Sequence, residues 1–466
     1  MNTYQQKLNS LGLHVPSVLL PKADDISKWP VIACDQFTQD REYWEKAKTI
    51  TAGSPSTLNL IFPEVFLSDD DASQRISDIH SNMNNYLQNR IFADPVQGFI
   101  YIERDTPYQK KRRGLVAAID LEQYEWHPDA RPLIRSTEGT VQERLPPRMD
   151  IRRGAPLELP HVLLLMDDDT NSLLPVLGEK VKNKTPVYST QLMMDSGSVT
   201  GWLIDNENDI GFIAEKLDEL CRRSADRYEN SGQGRQPASA ELSAPAELPF
   251  LFAVGDGNHS LAAAKGIWDE YKATNFPELP QKELPFHPCR YALVEIENIY
   301  DPAIQFEPIH RLVFDIGFDE TVFLLSQLPD FKCRQIDSLQ ELSREVSCNQ
   351  IEGKPVKGNR FGVIAEGRYA LIETSASGIS TACLQSLLDM YAKNNPLLID
   401  YIHDEKELIR LTDNTNCRSA GILLPPVQKS GLFETVARLG PLPRKSFSMG
   451  HSCEKRFYLE CRSLNS

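Results

Sequence analysis

Five consecutive residues gather polar chemistry at one point of the chain: Asp256-Gly257-Asn258-His259-Ser260. A carboxylate, a carboxamide, an imidazole and a hydroxyl so close together can bind a charged group and exchange protons with it. The flanking residues say where such a group would sit. Phe250–Val254 is a short apolar run bounded by Pro249 and Gly255, as a buried strand is. Gly255 and Gly257 mark a tight turn. From Ser260 onward, Leu261, Ala264, Trp268 and Tyr271 recur at near-helical spacing and give a helix one apolar face. Strand, turn and helix in that order aim the unpaired N–H groups of the first helical turn outward, where an anion is favoured. A plainer role is open to the same residues: Asp256 or Asn258 suits a helix cap, and Gly257 supplies a positive φ. The stretch has no Gly-Lys-Ser/Thr of a Walker A loop and lacks the third glycine of a dinucleotide fingerprint.

A second polar group lies upstream. Leu133–Thr140 ends a strand in a turn carrying Glu138, and Arg144, Arg148, Arg152 and Arg153 follow. Four-residue steps would align three arginines on one helix, but Pro146-Pro147 interrupts it. Arg148 and Arg152 are therefore expected on a second helix begun at Pro147. Asp167-Asp168-Asp169, after the apolar strand His161–Met166, suits a solvated strand end better than a metal site. Cys34 beside Asp35 offers a thiol, with no histidine fixed next to it by spacing.

These groups need a framework, and composition sets its kind. At 466 residues the chain has room for two or three domains, and 41% hydrophobic with 25% charged residues is the balance of a globular protein. A net charge of −15 argues against a nucleic-acid partner. The nine cysteines show no Cys-x-x-Cys spacing, which fits reduced thiols in a cytoplasmic protein. No signal-peptide core and no apolar run of membrane-spanning length are present, so no membrane partner is expected. Thr38 or Asp40 caps an expected helix through Trp44, Leu58–Leu67 reads as a strand, and Asp70–Ile91 as a helix. Phe99–Glu103 and Leu115–Leu121 read as a hairpin around the basic Lys110–Arg113. Residues 226–247, rich in Ser, Gly, Pro and Ala, read as a linker or flap between an N-terminal region, 1–225, and a C-terminal region, 248–466. Strands and helices without strict alternation indicate an α+β fold.

Several dispersed motifs appear in one order: Arg135-Ser136-Thr137-Glu138-Gly139-Thr140, the Asp-Gly-x-His turn, Pro308-Ile309-His310-Arg311-Leu312-Val313, Asp400-Tyr401-Ile402-His403 and Pro443–Met449. Over nearly its whole length the chain resembles the family catalogued as domain of unknown function 1015. The turn of that family, Asp-Gly-His-His-Arg, is similar to a motif of the ParB/sulfiredoxin-like fold, whose members bind nucleotide phosphates there and include free serine kinases. The resemblance implies roles for Asp256, Gly257 and His259. Asn258 replaces the family's first histidine, and Ser260 replaces its arginine, a bidentate phosphate clamp. Arg144, Arg148 or Arg311 is then expected to supply the charge.

Phosphoryl transfer requires charge to hold phosphates, usually a metal, and a group to orient or deprotonate the acceptor. The expected catalytic residues are Glu138, Asp256 and His259. Gly257, Asn258, Ser260, Arg144, Arg148, His310 and Arg311 are expected to bind phosphate or nucleotide, with Mg²⁺ and ATP or ADP as companions. The function so read is a free serine kinase-like phosphotransferase acting on a hydroxylated metabolite. A hydrolase of a phosphorylated metabolite and a non-catalytic nucleotide-binding regulator are the alternatives. The residue types leave donor, acceptor and oligomeric state open.

Overall fold

The computed structural model describes residues 3–22, 25–229, 248–279, 284, 286–348, 350–351, 354–355, 358–376, 379–393, 395, 397–403, 405–412 and 418–465. The chain divides into two compact units: Met1–Ile304 with Ser452–Ser466, and Gln305–His451. Mixed sheets and helices make the fold α+β, as composition and patterning indicate.

The first unit is built on a ten-stranded sheet. Its strands are β1 (Leu13–His14), β2 (Phe99–Asp105), β3 (Arg112–Asp120), β4 (Tyr124–Glu125), β5 (Ile134–Ser136), β6 (Leu163–Met166), β7 (Tyr188–Gln191), β8 (Ser198–Ile204), β9 (Phe252–Asp256) and β10 (Tyr291–Asn298). Their order is β7-β8-β2-β3-β10-β6-β9-β5-β4, with β1 paired to β3. The pairs β6–β10, β9–β5 and β5–β4 are parallel and the others antiparallel. Successive residues of β2 enter opposite cores: Phe99 and Tyr101 join one cluster, Ile100 and Ile102 the other. A sheet covered on both faces explains why its strands read as continuous apolar runs.

The helices follow from local signals. α1 (Thr3–Ser10) opens the unit. α2 (Arg41–Thr51) is capped by Asp40, whose side chain accepts the Tyr43 N–H at 3.0 Å. α3 (Ala72–Gln88) buries Ile79 and Met83. α4 (Leu145–Arg152) starts with both prolines in its first turn, after a short 3-10 turn at Gln142–Arg144, so the chain breaks where Pro146-Pro147 requires. α5 spans Leu174–Val181, and α6 (Glu207–Ser224) is capped by Asn206. α7 (Asn258–Asn275) buries Leu261, Ala264 and Trp268, the face expected from their spacing.

Two expectations differ from the structure. Leu58–Leu67 forms two 3-10 turns, Thr57–Leu60 and Glu64–Phe66, rather than a strand. Ser56 caps the first through the Leu58 N–H, and its hydroxyl and that of Thr57 both donate to the Trp29 carbonyl, so local bonds replace a ladder. The linker expected at 226–247 begins inside a π-helical turn, Ala225–Glu229, and its residues 230–247 lie outside the described residues. β9 beyond them pairs with β5 before them, so both of these strands belong to the first unit.

The second unit holds β11 (His310–Phe314), β12 (Lys332–Ile336), β13 (Asn359–Ala365), β14 (Arg368–Thr374), β15 (Ile399–Ile402) and β16 (Ser419–Leu423), in the order β12-β14-β13-β16-β11-β15. Every pairing in this sheet is antiparallel.

After residue 451 the chain belongs to the first unit again. There Phe457–Tyr458 pairs with Val31–Ile32, and Arg462–Ser463 with Leu157–Glu158. Arg456 is buried and bound to Glu295, Glu460 and the Pro160 carbonyl. Arg462 binds Glu158. Buried ion pairs with several hydrogen bonds hold one geometry, so this C-terminal segment is a fixed part of the unit.

Candidate functional site

The head of α7 is shaped by its neighbours in the sheet. Asp256 lies opposite Leu163 where the β6–β9 register slips, and β9 leaves its buried stretch at Gly255 and Asp256, both partly exposed. Gly257 then turns the chain with φ +83°, and its carbonyl accepts the Leu261 N–H at 3.0 Å to start the helix. A Cβ on Gly257 would stand 3.0 Å from Val162 Cγ2 and 3.2 Å from Val162 Cα, so the left-handed conformation favours glycine and any side chain would press Val162 aside by a few tenths of an ångström. Gly257 is itself the N-cap, without a side-chain cap, and Asp256 Oδ1 accepts the Gly257 N–H at 3.0 Å. The first turn of α7 thus begins without a side-chain cap.

Charged and polar side chains from distant segments surround this point. Lys455 Nζ lies 3.0 Å from Asp256 Oδ2. Burial pushes the Asp256 pKa up, but Lys455, His161 and the Gly257 N–H more than offset it and hold the carboxyl below its ordinary range. His161 Nε2 lies 2.9 Å from Ser260 Oγ and 3.8 Å from Asp35 Oδ2. The other ring nitrogen, Nδ1, lies 2.9 Å from the Tyr458 hydroxyl. Arg148 is ion-paired to Glu64, whose pKa burial raises despite Arg148, with Asp35 pushing the same way. Cys34 is close by, its N–H donating to the Tyr458 hydroxyl at 3.2 Å. Burial first, then Asp35 and Glu64, drives the Cys34 thiol far above its usual value, which disfavours a thiolate nucleophile.

The structure brings together most of the expected residues of the first unit. Ser136 lies beside Val254 in the parallel β5–β9 pair, so Glu138 and Asp256 leave the sheet at the same end of adjacent strands. Thr137 Oγ1 donates to the Val254 carbonyl at 2.6 Å, and the Val141 N–H donates to His259 Nε2 at 3.2 Å. The second bond fixes a lone pair on Nε2, which puts the ring proton of neutral His259 on Nδ1. Among the described residues, Asn258 Oδ1 and Thr140 Oγ1 are buried oxygens without a hydrogen-bond partner. Such atoms are uncommon in folded proteins and invite a ligand or water donor.

The arginines divide. Arg144 is exposed, at the end of the turn before α4, and its carbonyl accepts from Arg148 at 2.7 Å. Arg148 is engaged with Glu64. His310 and Arg311 are buried in the second unit. His310 Nδ1 accepts the Leu424 N–H at 3.1 Å. Arg311 donates to Gln385 Oε1, the Ile309 carbonyl and the Lys445 carbonyl at 3.0, 2.5 and 3.0 Å, and its guanidinium covers the Tyr401 ring. Asp168 accepts from Thr170, Ser172 and the Leu173 N–H, while Asp167 and Asp169 pair with Arg227, which makes that acidic run a strand-end cap. Among the described residues, no three His, Cys, Asp or Glu side chains are grouped to hold a metal ion. No described helix is long and apolar enough to cross a membrane.

Sequence reasoning missed His161, Lys455, Tyr458, Asp35 and Glu64 as neighbours of the turn. A histidine opening an otherwise apolar strand was the one legible signal among them.

Residues 17–391 match the family described as protein of unknown function (DUF1015). The chain belongs to this family. A search of curated proteins found no match. Among solved structures, the chain is similar to a conserved hypothetical protein from Pyrococcus furiosus, with 10% identity, a TM-score of 0.33, and coverage of 75% of this chain and 94% of that one. It is similar to a free serine kinase in complex with AMP at 11% identity and TM-score 0.37, covering 77% and 95%. A third is SbnI with C-terminal truncation from Staphylococcus aureus, at 8% identity and TM-score 0.35, covering 75% and 87%.

Proposed function

We propose that this DUF1015 protein is a nucleotide-dependent phosphotransferase acting on a hydroxylated small metabolite, with its site at the head of α7. The observation that carries the reading is the first turn of α7, led by Gly257 without a side-chain cap and flanked by Lys455, His161 and the buried orphan oxygen of Asn258. Backbone N–H groups at a helix N-terminus hold phosphate oxygens, and the helix dipole favours the charge. Lys455 supplies a cation beside them. Asp256, kept ionised, holds that lysine in place, and its low pKa makes it a weak base. The role of orienting or deprotonating the acceptor hydroxyl then falls to Glu138, on the adjacent strand end. His259 borders the same turn and is assigned to the transferring group. A Mg²⁺ ion would enter with the nucleotide, whose phosphates supply most of its ligands. The Asp-Gly-x-His turn, resembling that of nucleotide-binding ParB/sulfiredoxin-like proteins, supports the same reading.

Titration calorimetry with ATP, ADP and other nucleotides, with and without Mg²⁺, measures binding. Incubation with labelled nucleotide and pooled hydroxy amino acids then separates transfer from release of phosphate and from binding alone. We expect His259→Ala to abolish turnover and Asp256→Asn to lower it at least about tenfold. Wild-type rates in both variants would sink the assignment of this site.

A further inference from the structure

Ser260 stands where its hydroxyl can do more than hold a phosphate. It lies in the first turn of an 18-residue helix, partly exposed, with its Oγ 2.9 Å from His161 Nε2. His161 is buried and held from the far side, because its Nδ1 lies 2.9 Å from the Tyr458 hydroxyl. That hydroxyl also accepts the Cys34 N–H, at 3.2 Å. In the tautomer in which the tyrosine oxygen accepts from His161 Nδ1–H, the Nε2 lone pair faces Ser260. A hydroxyl, a base within hydrogen-bond reach and a third group orienting the base are the parts of an activated serine nucleophile.

We propose that Ser260 is a covalent nucleophile, with His161 as its general base and Tyr458 as the residue that positions the ring. This rests on the phosphotransferase reading for its electrophile, the terminal phosphoryl group of a nucleoside triphosphate. Ser260 Oγ attacks the terminal phosphorus and a new Oγ–P bond forms. The bond from that phosphorus to the bridging oxygen breaks, and its electron pair leaves on the nucleoside diphosphate. The Oγ proton passes to His161 Nε2. Asp35, 3.8 Å from that nitrogen, stabilises the resulting imidazolium. The product is a phosphoserine in the first turn of α7, where N–H groups and dipole favour its charge. The serine that replaces the arginine of the related turn thus changes the site from one that clamps phosphate to one that accepts it.

The test uses the full chain and two electrophiles. A fluorophosphonate reads the nucleophile without any nucleotide: Ser260 Oγ displaces fluoride, and peptide mass spectrometry locates the adduct. We expect labelling at Ser260, none in Ser260→Ala, a rate about 10²-fold lower in His161→Gln, the lower end for loss of a general base, and a smaller decrease in Tyr458→Phe. Incubation with each nucleoside triphosphate and Mg²⁺ is expected to add one phosphoryl group to the same residue. Fluorophosphonate labelling without phosphorylation would support the nucleophile and remove the phosphotransferase reading. Nucleotide-dependent transfer undiminished in Ser260→Ala, or no adduct at Ser260 from either reagent, would overturn the nucleophile.

Discussion

Replacing Lys455 with methionine removes the cation beside Asp256 while keeping the length of the side chain. The two charges stand 3.0 Å apart, with 7% of the lysine side chain and 24% of the aspartate side chain exposed. At an effective dielectric constant of about 20, their gross attraction is about 5.5 kcal/mol. Desolvation of both groups offsets part of it. Removing one member of a buried pair costs about 3–5 kcal/mol, because the other charge is left without a partner. Asp256 keeps some contact with water and the Gly257 N–H, which places the expected loss near 2–3 kcal/mol at neutral pH.

The pH dependence gives the prediction its second edge. In the wild type the Asp256 pKa is depressed, so the stability it contributes is fully present above the unfolded value and lost as pH falls through the folded one. In Lys455→Met the strongest opponents of burial are gone, and the prediction is that burial, the largest single influence, lifts the folded pKa above the unfolded value. The folded variant then takes up a proton first, and its deficit shrinks as pH falls from about 7 toward about 4. All five tryptophans, Trp29, Trp44, Trp126, Trp202 and Trp268, lie in the first unit. Urea unfolding followed by tryptophan fluorescence at pH 7.5 and pH 5 therefore reads that unit alone. Wild-type stability in the variant at pH 7.5, or a deficit that stays constant or grows at pH 5, would refute the reasoning.

Two further outcomes are expected. Gly257→Ala puts a Cβ against Val162 in a left-handed backbone, at a cost of about 1–3 kcal/mol by the same fluorescence assay, and weakens nucleotide binding by turning the first N–H groups away; unchanged nucleotide affinity would show that the turn is not the anion site. Arg311→Lys breaks the fork that joins Gln385 and the Lys445 carbonyl and destabilises the second unit by about 2–4 kcal/mol, seen as faster hydrogen exchange in β11 and β16. Nucleotide affinity is expected to hold in that variant, and a tenfold loss would instead assign Arg311 to the ligand.

How much of this was legible before the coordinates depends on sequence distance. The strand, turn and helix at Asp256 were readable because each rests on neighbours in the chain: an apolar run, a glycine that must take a positive φ, and a 3.6-residue apolar period. The break at Pro146-Pro147 and the Asp40 cap were readable for the same reason. Leu58–Leu67 misled because hydroxyls of Ser56 and Thr57 bind the Trp29 carbonyl, a contact across nearly thirty residues that periodicity does not register.

The amino-acid sequence by itself determined an α+β protein with a strand, a glycine turn at Gly257 and a helix beyond it, since local sterics and hydrophobic spacing suffice for both. Only the tertiary structure decided what faces that turn. His161 comes from the segment just before β6, 99 residues upstream of Ser260, and Lys455 and Tyr458 from a C-terminal segment held by Arg456 and Arg462. Those side chains meet because two covered sheet faces and a set of buried ion pairs fix the backbones that carry them, and no spacing within the chain encodes that meeting.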